Sequence, residues 1–141
     1  MILLVHMLFG SAIATIIQNP YLAIILAYLG HYFLDIFPHI EYSIKNTRFA
    51  VLKVFCDVFT GALLIFIFSN NQPIIYVCVF FAMLPDGLSL LNRIFKNKLL
   101  DSHSKLHQEK LHFLKYKKIP NFWRFFSQIL VVAISLLLLH Q

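Results

Sequence analysis

Three side chains within one short stretch, His31, Asp35 and His39 of Gly30-His-Tyr-Phe-Leu-Asp-Ile-Phe-Pro-His-Ile-Glu-Tyr42, place imidazole, carboxylate and imidazole at successive four-residue steps. Residues four apart share a helix face, so His31 and Asp35 can present a nitrogen and an oxygen to one point. His39 drifts about 80° further round an ideal helix wheel, but Pro38 predicts a break that can turn it back. Imidazole and carboxylate together are the donor set of zinc, manganese and iron, and such an ion can activate water for hydrolysis at neutral pH. Further donors are His6, Asp57, Asp86, His103, His107 and His112.

These groups sit in an apolar chain. Of its 141 residues 60% are hydrophobic and 13% charged, and the mean hydropathy is +0.76. That composition describes an all-α, polytopic membrane protein forming a single integral membrane domain over 1–141. Five apolar runs, at about 2–17, 21–37, 49–68, 74–91 and 122–139, are each near the length that crosses a bilayer as a helix. They are continuously apolar, which disfavours the alternating strands of a barrel. Ionisable groups at membrane depth are costly, so those present invite a functional reading.

The connections orient the helices. Gln18-Asn19-Pro20 and Ser69-Asn70-Asn71-Gln72-Pro73 are short, uncharged turns, each with a proline suited to starting a helix. The basic residues gather in Glu41–Arg48, in the loop 93–120, and just inside the helices that follow them at Lys53 and Arg124. All twelve Lys and Arg thus fall on one side of a five-span chain, and the positive-inside rule makes that side, and the N-terminus, cytoplasmic. The net charge of +6 fits this orientation and attraction to membrane lipids; no motif points to nucleic acid. The N-terminus lacks the basic stretch of a secretory signal, so the first helix is expected to be retained. Cys56 and Cys78 fall in opposite halves of their helices, which argues against a disulfide and for small buried hydrophobes.

On this topology His6, His31, Asp35, His39, Asp57 and Asp86 share the cytoplasmic level, and His103, His107 and His112 lie in the cytoplasmic loop, leaving only His140 on the far side. The sorting predicts a polar pocket at the cytoplasmic interface. Within the loop, an amphipathic helix is expected from about Leu99 to Lys115, with Leu99, Leu100, Leu106, Leu111 and Leu114 as its apolar stripe and His103 and His107 near the stripe's middle. Asp101, Lys105 and Glu109 share the opposite, solvated face, together with His112 unless the helix breaks. His31, Asp35, His39, Asp86, His103 and His107, with His6 in reserve, are the expected ligands of a divalent metal (Zn, Mn or Fe), and Asp57 is the candidate general base or orienting group. Competing structural readings are an ion pair of Asp57 with Lys53 four residues earlier, a helix-capping Asp86, and half-buried interfacial His103 and His107.

The pieces His6-Met-Leu-Phe-Gly10, Gly30-His31-Tyr-Phe-Leu-Asp35-Ile-Phe-Pro38-His39, Leu84-Pro85-Asp86 and His103 to His112 resemble small bacterial members of the membrane-bound metal-dependent hydrolases, a family of inner-membrane proteins. The Pro-Asp-x-Asp-His and HRGxTH-like elements of larger members are not recognisable. The resemblance implies a bacterial inner-membrane location and a metal-dependent hydrolase. The basic residues near the pocket favour a lipid or lipid-linked phosphate as substrate. Two other classes fit the same residues: a proton or divalent-cation transporter built on Asp35, Asp57 and Asp86, and a non-catalytic adaptor docking a soluble partner through its basic loop.

Overall fold

The computed structural model describes residues 2–40, 47–95, 97–107 and 119–140. Its helices are α1 (Leu3–Ile16), α2 (Pro20–Ile36), α3 (Thr47–Phe68), α4 (Pro73–Ile94), α5 (Lys98–Lys105) and α6 (Asn121–Leu139). The apolar helices match the runs read from sequence to within a few residues at each end. Their boundaries have local causes. Asn19 caps α2 by accepting from the N–H groups of Tyr21 and Leu22 at 3.0 and 3.2 Å, with Pro20 at the first helical position. At the other end Pro38 disfavours helical geometry at Phe37, which is extended. Asn71, in the α3–α4 turn, takes the left-handed conformation (φ 55°) that asparagine tolerates better than most residues.

Three of the five predicted spans are long and apolar enough to cross a membrane: Val51–Phe68, Pro73–Asn92 and Asn121–Leu139. The 14 residues of α1 and 17 of α2 reach about 21 and 26 Å at 1.5 Å per residue, short of the roughly 30 Å hydrocarbon layer. The expectation of five full spans is corrected accordingly. The turn at Gln18–Asn19 and the break before Pro38 shorten these two helices.

The short α1 is the axis of the bundle and packs against α2, α3, α4 and α6. Apart from His6, Ser11 and Thr15 it is apolar all round, as a helix enclosed by others should be; Val5, Met7, Leu8, Ala12 and Ala14 are buried. Small residues let its neighbours come close. A Cβ on Gly10 would lie 2.7 Å from the Ala82 Cβ and 3.0 Å from the Cys78 carbonyl oxygen of α4, one on Gly30 would strike the Phe9 ring, and one on Gly61 would meet the Met7 sulfur at 2.9 Å. The contacts of α1 with Gly61 of α3, of Leu4 with Asp57, and of Ser127 with Pro38 make α1, α3 and α6 run one way and α2 and α4 the other. The outer faces carry exposed apolar side chains, among them Phe55, Phe59 and Phe66 on α3, as a lipid-facing surface requires. Cys78 is buried and Cys56 exposed, both as free thiols; the buried reading therefore holds for Cys78 alone, because α3 is peripheral.

The first part of the predicted loop helix is present as α5. Its α-helical part runs to Lys105 and continues into a wider π-type turn at Leu106–His107. The remainder of the predicted stripe, Leu111 and Leu114, and also Glu109 and His112, lie outside the described residues.

Candidate metal centre

On α2 the buried face reads Ala23, Ala27, Gly30, His31, Leu34, Asp35, one continuous stripe at helical spacing. His31 and Asp35 are therefore the polar end of a packing seam, turned into the bundle and away from lipid, at 0% and 1% exposure. Across the seam α4 presents Cys78, Ala82, Pro85 and Ser89 on its buried side, with Asp86 half-buried beside them. His107 enters from the turn after α5 and is also buried.

The four groups His31, Asp35, Asp86 and His107 each offer a ligand atom within 4.8 Å of all the others. Asp35 Oδ2 is 3.1 Å from His31 Nε2 and 2.9 Å from His107 Nε2. The two nitrogens are 3.0 Å apart, and Asp86 Oδ1 stands 3.9 Å from each. Donor atoms about 2.0–2.1 Å from a tetrahedral zinc are about 3.3 Å from one another, so these separations straddle the edge of a coordination shell. The group can hold a metal ion.

The outer contacts orient the donors for that purpose. His31 Nδ1 lies 2.7 Å from the Ala82 carbonyl oxygen. A carbonyl only accepts, so Nδ1 carries the proton and the neutral ring turns a bare Nε2 lone pair inward. Pro85 has no N–H to offer the Phe81 carbonyl and loosens the helix ladder beside Ala82. On the other ring, His107 Nδ1 is 3.2 Å from Ser89 Oγ. Serine can accept or donate. If it accepts, Nδ1 is protonated on both rings and two lone pairs face one another at 3.0 Å, which a shared cation would satisfy; if it donates, His107 Nε2–H donates to Asp35 Oδ2 at 2.9 Å instead.

Further histidines surround this core. His6 is fully buried and its ring stacks on His31 with centroids 4.0 Å apart. Its Nε2 is 3.3 Å from Asp35 Oδ1, yet neither ring nitrogen makes a hydrogen bond among the described residues. An imidazole buried that way costs about 1–3 kcal/mol, which a metal ligand would not incur. His39 folds back after Pro38: its Nδ1–H donates to the Phe37 carbonyl at 2.7 Å and its Nε2 lies 3.9 Å from Asp35 Oδ1. His103 stands one shell out, with Nε2 3.0 Å from Tyr32 Oη and its ring stacked on His107. Partial burial, followed by the neighbouring His107 and His31, holds the His103 imidazole below its ordinary pKa. Asp101, exposed on α5, is lowered instead by its 2.8 Å pair with Lys105.

Asp57 is occupied elsewhere. Its Oδ2 accepts the Leu4 N–H at 2.9 Å, supplying the first turn of α1 with the cap that its own Ile2 does not provide. A carboxylate there also suits the positive end of the helix dipole. Asp57 thereby positions α1, and with it His6.

Several residues at the centre are not among those singled out from the sequence. Ser89 lies three residues after Asp86 on the same helix face, a spacing that could have flagged it. Tyr28 and Tyr32 share a 2.9 Å contact through their hydroxyls and lie on α2 beside the site. Ser127 donates to the Pro38 carbonyl at 2.6 Å and Gln128 to the Ile40 carbonyl at 2.9 Å, so α6 anchors the segment that carries His39. Beside α2, an apolar cleft of about 280 Å³ between α1, α2 and α6 is walled by Phe9, Ile13, Phe33, Leu34 and Val131. The chain matches no family model, no curated protein and no solved structure.

Proposed function

We propose that the protein is a metal-dependent hydrolase of the bacterial inner membrane, acting at the cytoplasmic interface on a lipid or lipid-linked phosphate. The observation that carries this reading is the asymmetry of the four-donor group: the side chains of His31, Asp35 and His107 are at most 2% exposed, whereas that of Asp86 is 32% exposed. A hydrolytic centre needs an enclosed donor set with one open position, and Asp86 marks the open side. A divalent cation held by His31, Asp35, Asp86 and His107 would supply a Lewis acid and a source of hydroxide at neutral pH.

The chain's own groups then have distinct tasks. Ala82 and Ser89 fix the rings of His31 and His107. The Tyr32–His103 pair, next to His107, is placed to take up or release a proton on the side nearer water. The apolar cleft, one residue along α2 from Asp35, suits the hydrocarbon part of a membrane-dissolved substrate. Lys98, Lys105 and Arg124 belong to the same end of the bundle and favour an anionic headgroup. Placing that end in the cytoplasm follows the positive-inside rule.

The test is release of phosphate or headgroup from mixed phospholipid and polyprenyl-phosphate vesicles by the detergent-purified protein. Zn2+- or Mn2+-dependent turnover that falls at least about a hundredfold in Asp35→Asn, with the helical content intact, is the expected outcome. Equal background rates in both proteins would refute the hydrolase. Full burial of His6, His31 and Asp35 favours a second reading, a cation pathway. Metal or proton flux into proteoliposomes without hydrolysis would select it.

A further inference from the structure

Asp35 is surrounded on both of its oxygens. Oδ2 faces His31 and His107 at 3.1 and 2.9 Å, and Oδ1 faces His6 and His39 at 3.3 and 3.9 Å. We infer that Asp35 is a bridging carboxylate and that the centre takes two divalent ions, the first held through Oδ2 with His31, His107 and Asp86, the second through Oδ1 with His6 and His39. This rests on the metal-centre reading above and extends it.

Three features argue for the second ion. His6 is a 0% exposed imidazole without a hydrogen bond among the described residues, and its Nε2 is aimed at Oδ1. His39 has its Nδ1–H committed to the Phe37 carbonyl, which leaves Nε2 as the lone-pair nitrogen on the side of Asp35, the arrangement seen at His31. The sequence also spends structure on bringing His39 there: the helix stops before Pro38, and Ser127 and Gln128 hold the following carbonyls. A single ion at Oδ2 uses none of this.

Helical bundles hold paired metals in this way, with carboxylates and histidines converging from facing helices, and paired ions about 3.5–4 Å apart clamp the attacking and leaving oxygens of a phosphoryl centre. Charge points the same way. Among the described residues the two carboxylates of the cluster, Asp35 and Asp86, offset one dication. The second positive pair is then left for hydroxide and an anionic substrate, which narrows the substrate to phosphate esters over neutral lipids.

The experiment is metal counting on the full chain in detergent, loaded with Zn2+ or Mn2+ and desalted, combined with electron paramagnetic resonance of the Mn2+ form. Two ions per chain and an exchange-coupled manganese signal are expected in the wild type. His6→Gln and His39→Gln should each leave one ion and an uncoupled signal. Helicity and elution volume establish that the variants are folded, and the two substitutions lie on different elements, so one that misfolds leaves the other to decide. A wild-type chain that binds one ion, with its affinity unchanged in His39→Gln, overturns the second site while leaving a mononuclear hydrolase standing. A chain that binds none overturns both.

Discussion

The chemistry of the centre is set by side chains that never touch one another in sequence. Asp35 meets four imidazoles, and each imidazole whose Nδ1 has a partner is turned so that Nε2 faces the carboxylate. Ser89 is the clearest case of a residue acting through another, since its hydroxyl lies 3.2 Å from His107 Nδ1. Loss of an outer partner of a metal-bound histidine typically lowers metal affinity 10–100-fold. Ser89→Ala is therefore expected to weaken Zn2+ binding by about that factor, as titration calorimetry would measure, while the fold stays intact because one small hydroxyl is removed. Unchanged affinity would mean that His107 is not held by Ser89. Asp35 and His31 were legible from their four-residue spacing and their apolar setting. Ser89 and Tyr32 were not, because a serine or tyrosine in a membrane helix has many innocuous uses and only the partner across the bundle distinguishes this one.

At the scale of the elements, the centre depends on helices that approach closely at glycine. Gly10 faces Ala82 and the Cys78 carbonyl across the α1–α4 contact, whereas a Cβ on Gly87, on α4 next to Asp86, would meet nothing within 4 Å. Gly10→Ala is expected to force α1 and α4 apart, costing about 1–3 kcal/mol, and to lower metal affinity because His31 takes its orientation from the Ala82 carbonyl. Gly87→Ala should be neutral or stabilising by up to about 1 kcal/mol through helix propensity. Thermal unfolding of both variants in the same detergent checks the contrast. Positions of the apolar helices followed from hydropathy and from the Asn-Pro and Gln-Pro turns. Which of them have full membrane length did not, since the stops at Gln18 and Phe37 each remove only a residue or two from runs already near the threshold. The contact of Asp57 with α1 was equally hidden: it is to a backbone N–H, a group every residue but proline carries, and only the packing of α3 on α1 selects Leu4.

For the whole molecule, the alternating helix directions bring His6, the end of α2, Asp86 and the turn after α5 to one end of the bundle, where Lys53, Lys98, Lys105 and Arg124 also begin or border their helices. The long α3, α4 and α6 provide the membrane-length frame, and the shorter α1 and α2 hold His6, His31 and Asp35 within it. A metal ion held by His31, Asp35, Asp86 and His107 would tie α2, α4 and the segment after α5 together through side chains distant in sequence, so its binding would be a property of the assembled bundle. The most direct measurement is the metal content of the purified chain, by elemental mass spectrometry after removal of free ions, for the wild type and for the double variant His31→Ala/His107→Ala. Stoichiometric Zn, Mn or Fe in the wild type, lost in a double variant that keeps its helical spectrum, is the predicted result. Metal retained at the same stoichiometry in the double variant, or none in either protein after reloading, would contradict a metal centre at Asp35.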